Sequence, residues 1–309
     1  MPVLFPGIPA MVSAPLSVSR PLVTGASGFV GAALVGKLGS CAKLSMARDD
    51  WRVAAGAIDF RGATVIHLAA RVHDPGAVAE AYGPDNVEKT RAIAEMAAAG
   101  GAERFVFAST VKVFGEESTS RPLREHDEAR PEDAYGKSKW RAEQALHEVA
   151  ARTGLPVVVL RIPLTYGPGV AGNFAALVRL ADTGWWLPLA AIPNRRSLVH
   201  IDDLVEALIV AASHPDAPGR TLLAAHPDPV STPRLVGAIR TALARPRRLF
   251  AMPPALLEAG ASVVGQGARM RRLARSLEVD SAPFMRDLAW RPRVGLEEGL
   301  AAWLGGRRA

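Results

Sequence analysis

The stretch Pro21-Leu22-Val23-Thr24-Gly25-Ala26-Ser27-Gly28-Phe29-Val30-Gly31 decides how the rest of this 309-residue chain is read. A short apolar strand runs straight into a glycine-rich turn, and a helical pattern follows over residues 32–38. The glycines fall at the spacing G-x-x-G-x-x-G. Gly25 permits a tight strand-to-helix turn, Gly28 lets a pyrophosphate approach the backbone, and Gly31 lets the helix pack closely on the strand. A strand before and a helix after, near the N-terminus, is the setting a dinucleotide fold requires.

Working outward, residues 42–47 predict the next strand, which ends at Arg48-Asp49-Asp50. In a dinucleotide fold an acid at this point bonds the 2′-hydroxyl of NAD, whereas an arginine suits the 2′-phosphate of NADP. Both are present, so this stretch leaves the cofactor open. Val65-Ile66-His67-Leu68-Ala69-Ala70 reads as a buried strand ending in small residues, with His67 a structural partner. An Ala-rich helix over residues 86–100 and a strand over residues 104–110 continue the alternation. Strands alternating with helices specify an α/β chain with a doubly wound parallel sheet. Between Arg48 and Val65 there is little room for a full crossover helix, so that region is expected to be abbreviated.

Further on, Ala134-Tyr135-Gly136-Lys137-Ser138-Lys139-Trp140 opens a helix that runs to about Arg152. Tyr135 and Lys139 share one helix face a turn apart. A fixed ammonium beside a phenol favours the phenolate, so Tyr135 is expected to have a lowered pKa and to exchange a proton near neutral pH.

Composition bounds the reading. The length suits one large α/β domain with an attached lobe. No apolar run is long enough to span a bilayer, and residues 1–19 lack the basic start of a signal peptide. They read as an extension. Cys41 is the single cysteine, so no intrachain disulfide forms, which suits a reducing cytoplasm. The net charge of +7 comes from scattered arginines with denser patches at Arg245, Arg247 and Arg248 and at Arg269, Arg271, Arg272 and Arg275. Without a nucleic-acid reading motif, this surplus fits an anionic small substrate, and neither nucleic acid nor membrane is expected as a partner.

Several motifs in order now resemble one family. The glycine turn, His67-Leu68-Ala69-Ala70, Ser109-Thr110 with Val113-Phe114-Gly115 beyond it, and Tyr135-x-x-x-Lys139 are similar to the extended short-chain dehydrogenase/reductases. Leu160-Arg161-Ile162-Pro163 with Tyr166-Gly167-Pro168-Gly169, Arg196-Ser197-Leu198-Val199-His200-Ile201-Asp202-Asp203, and Leu288-Ala289-Trp290-Arg291-Pro292 extend the resemblance to the nucleotide-sugar epimerase/dehydratase branch. The resemblance implies Thr110 as the hydroxyl partner of the sugar, with Ser109 as its fallback, Tyr135 as acid/base and Lys139 as ribose anchor. It implies Gly25, Gly28, Phe29, Val30 and Gly31 around the pyrophosphate, Arg48 near the adenosine ribose, Asp59 near adenine, Ala69 lining the cofactor and Pro163 over the nicotinamide. For the substrate it implies Asn173 and Arg196, with Arg272 and Arg275 as a second diphosphate clamp. No metal is implied.

Departures from that branch narrow the chemistry. Dehydratases carry an acid pair directly after the catalytic Thr, where this chain has Val111 and Lys112. Chemistry at the sugar C4 remains. His67-Leu68-Ala69-Ala70-Arg71-Val72-His73 and Ser109 to Glu116 look most like a UDP-glucose 4-epimerase-like subgroup. The implied activity is a UDP-sugar 4-epimerase holding NAD, with an NADPH-dependent 4-keto reductase as the alternative and a non-catalytic NAD(P) sensor as a remote one. The resemblance also implies a homodimer through the helices beginning near Asn86 and Tyr135. The expected architecture is a Rossmann-type domain from residues 20–164 plus about 197–225. A smaller C-terminal lobe, residues 165–196 plus 226–309, would bind the nucleotide sugar. Trp185-Trp186 reads either as a stacking surface for a ring or, more commonly, as core.

Overall fold

The computed structural model describes residues 17–72, 81–118, 121–263 and 265–308. Residues 1–16 of the expected extension and His73 fall outside them, as does the side chain of Arg269. Six strands form one parallel sheet: β1 (Pro21–Thr24), β2 (Ala42–Leu44), β3 (Thr64–His67), β4 (Arg104–Thr110), β5 (Val157–Ile162) and β8 (Thr221–Leu223), in the order β2-β1-β3-β4-β5-β8. The central strands are near-continuous apolar runs because both faces of a parallel sheet are covered. Their side chains alternate between two cores. Val23, Ile66, Val106 and Val158 face α1 (Phe29–Leu38) and α6 (Ile201–Ser213), where Leu34, Leu204 and Leu208 meet them. Leu22, Val65, Phe105, Phe107 and Val159 face the other way, onto Ile93 and Ala97 of α3 (Lys89–Ala99) and Leu146 and Val149 of α4 (Ala134–Thr153).

The usual doubly wound order carries one more strand outside the second. Here the stretch after β2 makes only the six-residue helix α2 (Trp51–Gly56) before β3, so β2 is the sheet edge. The abbreviation expected from the short interval is observed.

A second region holds its own core. Phe174 and Leu177 of α5 (Gly172–Asp182), Val236 and Ile239 of α7 (Thr232–Ala242), Leu257 of α8 (Pro254–Val263) and Leu300 of α11 (Leu296–Leu304) pack together. A two-stranded parallel ribbon pairs β6 (Leu164–Tyr166) with β7 (Leu198–His200), and Tyr166 and Leu198 pack into this core. The expected lobe boundary is not followed by the whole C-terminal part. Phe284 of α10 (Ala282–Asp287), Leu288 and Trp290 pack into the α1/α6 core, and the Trp290 Nε1 donates to the Asp203 carbonyl at 3.1 Å. The reason is apolar volume: Trp290 is 1% exposed and stacks on Phe284 at 4.7 Å, and α6 offers the surface that buries both. Among the described residues no helix is long and apolar enough to cross a membrane.

Candidate active site

The site gathers at the carboxyl ends of the strands. Gly25 sits at φ +70°, where L side chains are strained, and a Cβ there would stand 2.7 Å from the Ala69 nitrogen. A Cβ on Gly31 would come within 2.1 Å of the Gly25 carbonyl oxygen, so only glycine lets α1 start this close to β1. The Gly28 amide donates to the Gly25 carbonyl, closing the turn. No side chain caps α1 and its first turn holds no acid. By helix geometry the amides of Phe29, Val30 and Gly31 lack intrahelical partners, and the positive end of the helix dipole points out of the turn. This turn fits the pyrophosphate of a dinucleotide. Ala69 lies beside it, its amide donating to Thr24 Oγ1 at 3.2 Å.

The proton-transfer candidates stand on α4 and the end of β4. Asp133 caps α4 by accepting from the Gly136 amide at 2.6 Å, which fixes the first turn that carries Tyr135. The Tyr135 ring lies edge-on to buried Tyr82, with centroids 6.4 Å apart. Lys139, one turn on, is 2% exposed, and its Nζ lies 3.9 Å from the centroid of the Phe107 ring. Burial pulls the Lys139 pKa down from 10.5 to about 7, against the opposing pull of Glu143. Burial likewise pushes the Tyr135 phenol up, with Asp133 and Tyr82 adding to the shift. The expectation of a tyrosine lowered by its lysine is therefore corrected. Desolvation governs both groups, and the ammonium sits over Phe107 instead of the phenol.

The pair Ser109-Thr110 is separated by strand alternation. Ser109 Oγ donates to Glu143 Oε1, and Glu143, fully buried, is also held by Arg161 Nη2 at 2.7 Å. Thr110 Oγ1 accepts the Lys112 amide at 3.3 Å, capping a short 3-10 turn at Val111–Phe114 and leaving its own proton to donate. Ser109 is thus committed to structure and Thr110 is the available hydroxyl. Beyond the turn, Lys112 Nζ bonds Asp133, and Glu116 Oε1 at 2.7 Å. Burial opposes the charge on Asp133, but Lys112 and the Gly136 amide outweigh it and hold the carboxyl below its ordinary value.

The model of the NAD dependent epimerase/dehydratase family matches residues 21–224. The chain belongs to that family. It is 32% identical to a UDP-glucose 4-epimerase of Vibrio cholerae over 90% of this chain and 92% of the relative. It is 31% identical to an N-acetyl-alpha-D-glucosaminyl-diphospho-ditrans,octacis-undecaprenol 4-epimerase of Escherichia coli over 46% of this chain and 43% of the relative. Among solved structures, a UDP-glucose 4-epimerase of Thermotoga maritima with UDP-glucose superposes at a TM-score of 0.74 and 22% identity, covering 92% of this chain and 97% of that one. MoeE5 with UDP-glucuronic acid and NAD superposes at 0.71 and 25% identity, with the same coverages. The family is one of NAD-dependent enzymes with this Rossmann-like fold.

Other expected residues of this epimerase/dehydratase chain fall unevenly. Pro163 is buried just past the carboxyl end of β5. The loop that follows approaches the glycine turn, since a Cβ on Gly169 would lie 3.7 Å from the Phe29 ring. Asn173 is exposed in the first turn of α5. Arg48 lies beyond the carboxyl end of β2, but it forms a two-bond pair with Asp50 at 2.9 and 2.8 Å. Asp59 is misplaced for adenine: it precedes β3 and pairs with Arg20 ahead of β1 at 2.9 Å. Asp59 and Arg20 thus sit at the amino ends of β3 and β1, opposite the glycine turn.

On the substrate side, the Arg196 guanidinium donates to the Arg272 and Arg275 carbonyls at 2.6 and 3.1 Å, and burial lowers its pKa while Glu116 opposes that. Arg272 and Arg275 do not form a free second clamp. Their side chains face Glu116 at 3.9 Å and Glu117 at 3.2 Å, tying the region of α9 (Gly267–Ala274) to the loop after β4. Trp185 and Trp186 are not core, being 70% and 64% exposed.

Three participants escaped the sequence reading: Glu143, Asn86 and Tyr82. Asn86 sits fully buried in a π-helical turn (Gly83–Glu88), a distortion common at functional sites. Its Oδ1 accepts the Arg71 amide at 2.7 Å and its Nδ2 donates to Ser138 Oγ at 2.9 Å, which in turn donates to the Tyr135 carbonyl. An internal asparagine and a helical glutamate carry no local signal of such a role. Only the spacing Tyr135, Lys139, Glu143, one turn apart each time, hinted that Glu143 shares a helix face with Tyr135 and Lys139. His67 is the structural partner expected: it bridges Thr24 and Thr90 at 2.7 and 2.9 Å, and burial holds its pKa near 3.

Proposed function

We propose that this protein is an NAD-dependent UDP-sugar 4-epimerase. The observation that carries the reading is that the two carboxylates bonded at the turn after Thr110, Asp133 and Glu116, are both committed to Lys112. Val111 and Lys112 occupy the two positions directly after Thr110, where an elimination of this kind would place its acid pair, which supports proton transfer at one carbon. Bound NAD supplies a reversible hydride acceptor and a positive charge near the phenol. Gly25, Gly28, Phe29, Val30 and Gly31 would hold its pyrophosphate, with Ala69 and Pro163 lining it. The Arg48–Asp50 pair, already neutralised, supports NAD over NADP.

In this reading Thr110 would donate to the sugar O4 and Tyr135 Oη would exchange the O4 proton as a phenolate, a form that burial opposes and the cationic nicotinamide of bound NAD would favour. Tyr135 would return the proton to O4 of the epimer, with the hydride exchange at C4 supplied by bound NAD. Lys139, beneath α4 on Phe107, sets the local charge. Asn173 and Arg196 belong to the same proposal as sugar and diphosphate contacts, as does the division into a cofactor unit and a smaller sugar-binding lobe. A homodimer through α3 and α4 is also part of it. These helices already pack side by side, tied by Arg91–Glu148 at 2.8 Å and Arg152–Glu95 at 2.6 Å.

The test is to denature the purified protein, identify the nucleotide it releases, and assay UDP-glucose and UDP-N-acetylglucosamine. Tightly held NAD with interconversion of either sugar supports the proposal. An empty protein that prefers NADPH and reduces a 4-keto sugar would replace it with the reductase. Failure to carry or bind either nucleotide would leave only a non-enzymatic role.

A further inference from the structure

Seven large apolar side chains stand exposed among the described residues, and five of them belong to one stretch of the smaller lobe: Trp185, Trp186, Phe250, Leu256 and Val263. The backbone brings the first three together. The Leu187 amide donates to the Arg248 carbonyl at 3.0 Å and the Phe250 amide to the Leu187 carbonyl at 3.1 Å, so the tryptophan loop runs beside Arg247-Arg248-Leu249-Phe250. Leu187 and Leu249 turn toward the lobe core, which leaves the tryptophans and Phe250 outside. Four residues later α8 begins. It contains one charged residue, Glu258, and buries Leu257. Its opposite side presents Leu256, Ala259, Gly260 and Val263 to solvent, at the spacing i, i+3, i+4, i+7. That is an apolar helix face exposed among the described residues.

Cations lie on the adjoining chain segments. Arg179 in the last turns of α5 and Arg247 and Arg248 on the neighbouring segment are exposed, and no carboxylate among the described residues pairs with them. Asp182 is already taken by Arg245 at 2.9 Å. Trp and Phe side chains with arginines beside them are the composition that settles at a lipid headgroup boundary. Trp185 at 70%, Trp186 at 64% and Val263 at 88% exposure stand clear of the surface. A partner protein would need a pocket for each of them, whereas a fluid interface accommodates them without one.

We propose that this face of the smaller lobe docks on anionic phospholipid bilayers, with Trp185, Trp186 and Phe250 and the outer side of α8 entering the headgroup layer and Arg179, Arg247 and Arg248 meeting its charge. A surface contact of this kind needs no spanning segment, which is why the absence of one in the sequence says nothing against it.

The test uses the full-length protein without sugar or added cofactor, so it does not depend on the epimerase reading. Co-sedimentation is measured with vesicles of equal parts phosphatidylglycerol and phosphatidylcholine and with vesicles of phosphatidylcholine alone. The expected result is binding to the anionic vesicles that weakens with salt. The W185S/W186S variant should bind at least about tenfold more weakly, and R179Q/R247Q about fivefold more weakly for each arginine removed. These side chains are exposed, and circular dichroism checks that the fold is kept. No sedimentation with anionic vesicles overturns the proposal, as does equal binding to both vesicle types. So does binding that both variants retain. Self-association abolished by W185S/W186S, without vesicle binding, would assign the face to a second copy of the chain and overturns it as well.

Discussion

Replacing Lys139 by Met should make the protein more stable while it removes activity. Lys139 is 2% exposed, and burial takes its pKa from 10.5 to about 7. At about 1.4 kcal/mol per pH unit, keeping this lysine charged in the fold costs about 5 kcal/mol, and about 4 kcal/mol at pH 7, where half of it is already neutral. The Phe107 ring beneath the ammonium returns up to about 2 kcal/mol. A Met of similar shape loses both terms, so K139M is expected to gain roughly 2–4 kcal/mol at neutral pH. The sign with pH follows from proton binding. The folded pKa is lowered, so between about pH 7 and 10.5 the unfolded chain binds the extra proton and wild-type stability rises with pH. K139M lacks that rise, and the gap between the two proteins should close as the pH approaches 10. Urea unfolding of both proteins from pH 6 to 10, with epimerase assays in parallel, measures this. A destabilised K139M, or a gap independent of pH, would refute the view that desolvation dominates this lysine.

Glu143→Gln leaves Arg161 a buried cation without its counter-charge and should cost about 3–5 kcal/mol, read as a lowered urea midpoint. The double variant E143L/R161M should recover most of that loss. Thr110→Ala should lower kcat by about a hundredfold or more with little change in stability. Ser109→Ala should do the reverse, costing about 1–3 kcal/mol of stability because Glu143 loses a donor. Tyr135→Phe should lower kcat by about 10²–10⁴-fold while the released nucleotide, measured after denaturation, stays bound in the usual amount. Gly31→Ala drives a Cβ to 2.1 Å from the Gly25 carbonyl and should abolish cofactor retention, or the fold itself, both visible when nucleotide content and circular dichroism are measured together.

The amino-acid sequence by itself determined the parallel sheet, the glycine turn at its first crossover, and the helix that carries Tyr135 and Lys139. Those features follow from short-range physics: apolar runs flanked by glycine, turn geometry that only Gly25 and Gly31 satisfy, and a spacing of four along a helix. Even the shortened segment after β2 was legible, because chain length alone limits what it can build. Tertiary structure decided the properties that depend on residues far apart. Whether Lys139 keeps its charge rests on Phe107 and Glu143, and whether Ser109 or Thr110 is free rests on which one meets Glu143 and Arg161. Asp59 lies at the wrong end of the sheet because the chain re-enters β3 just after it, where Arg20, 39 residues earlier, pairs with it. Trp290 and Trp185 look alike as apolar letters, yet one fills the sheet core and the other stands in solvent. Burial and charge pairing are set by neighbours that only the folded chain brings together, so the sequence could place the chemistry but not its electrostatics.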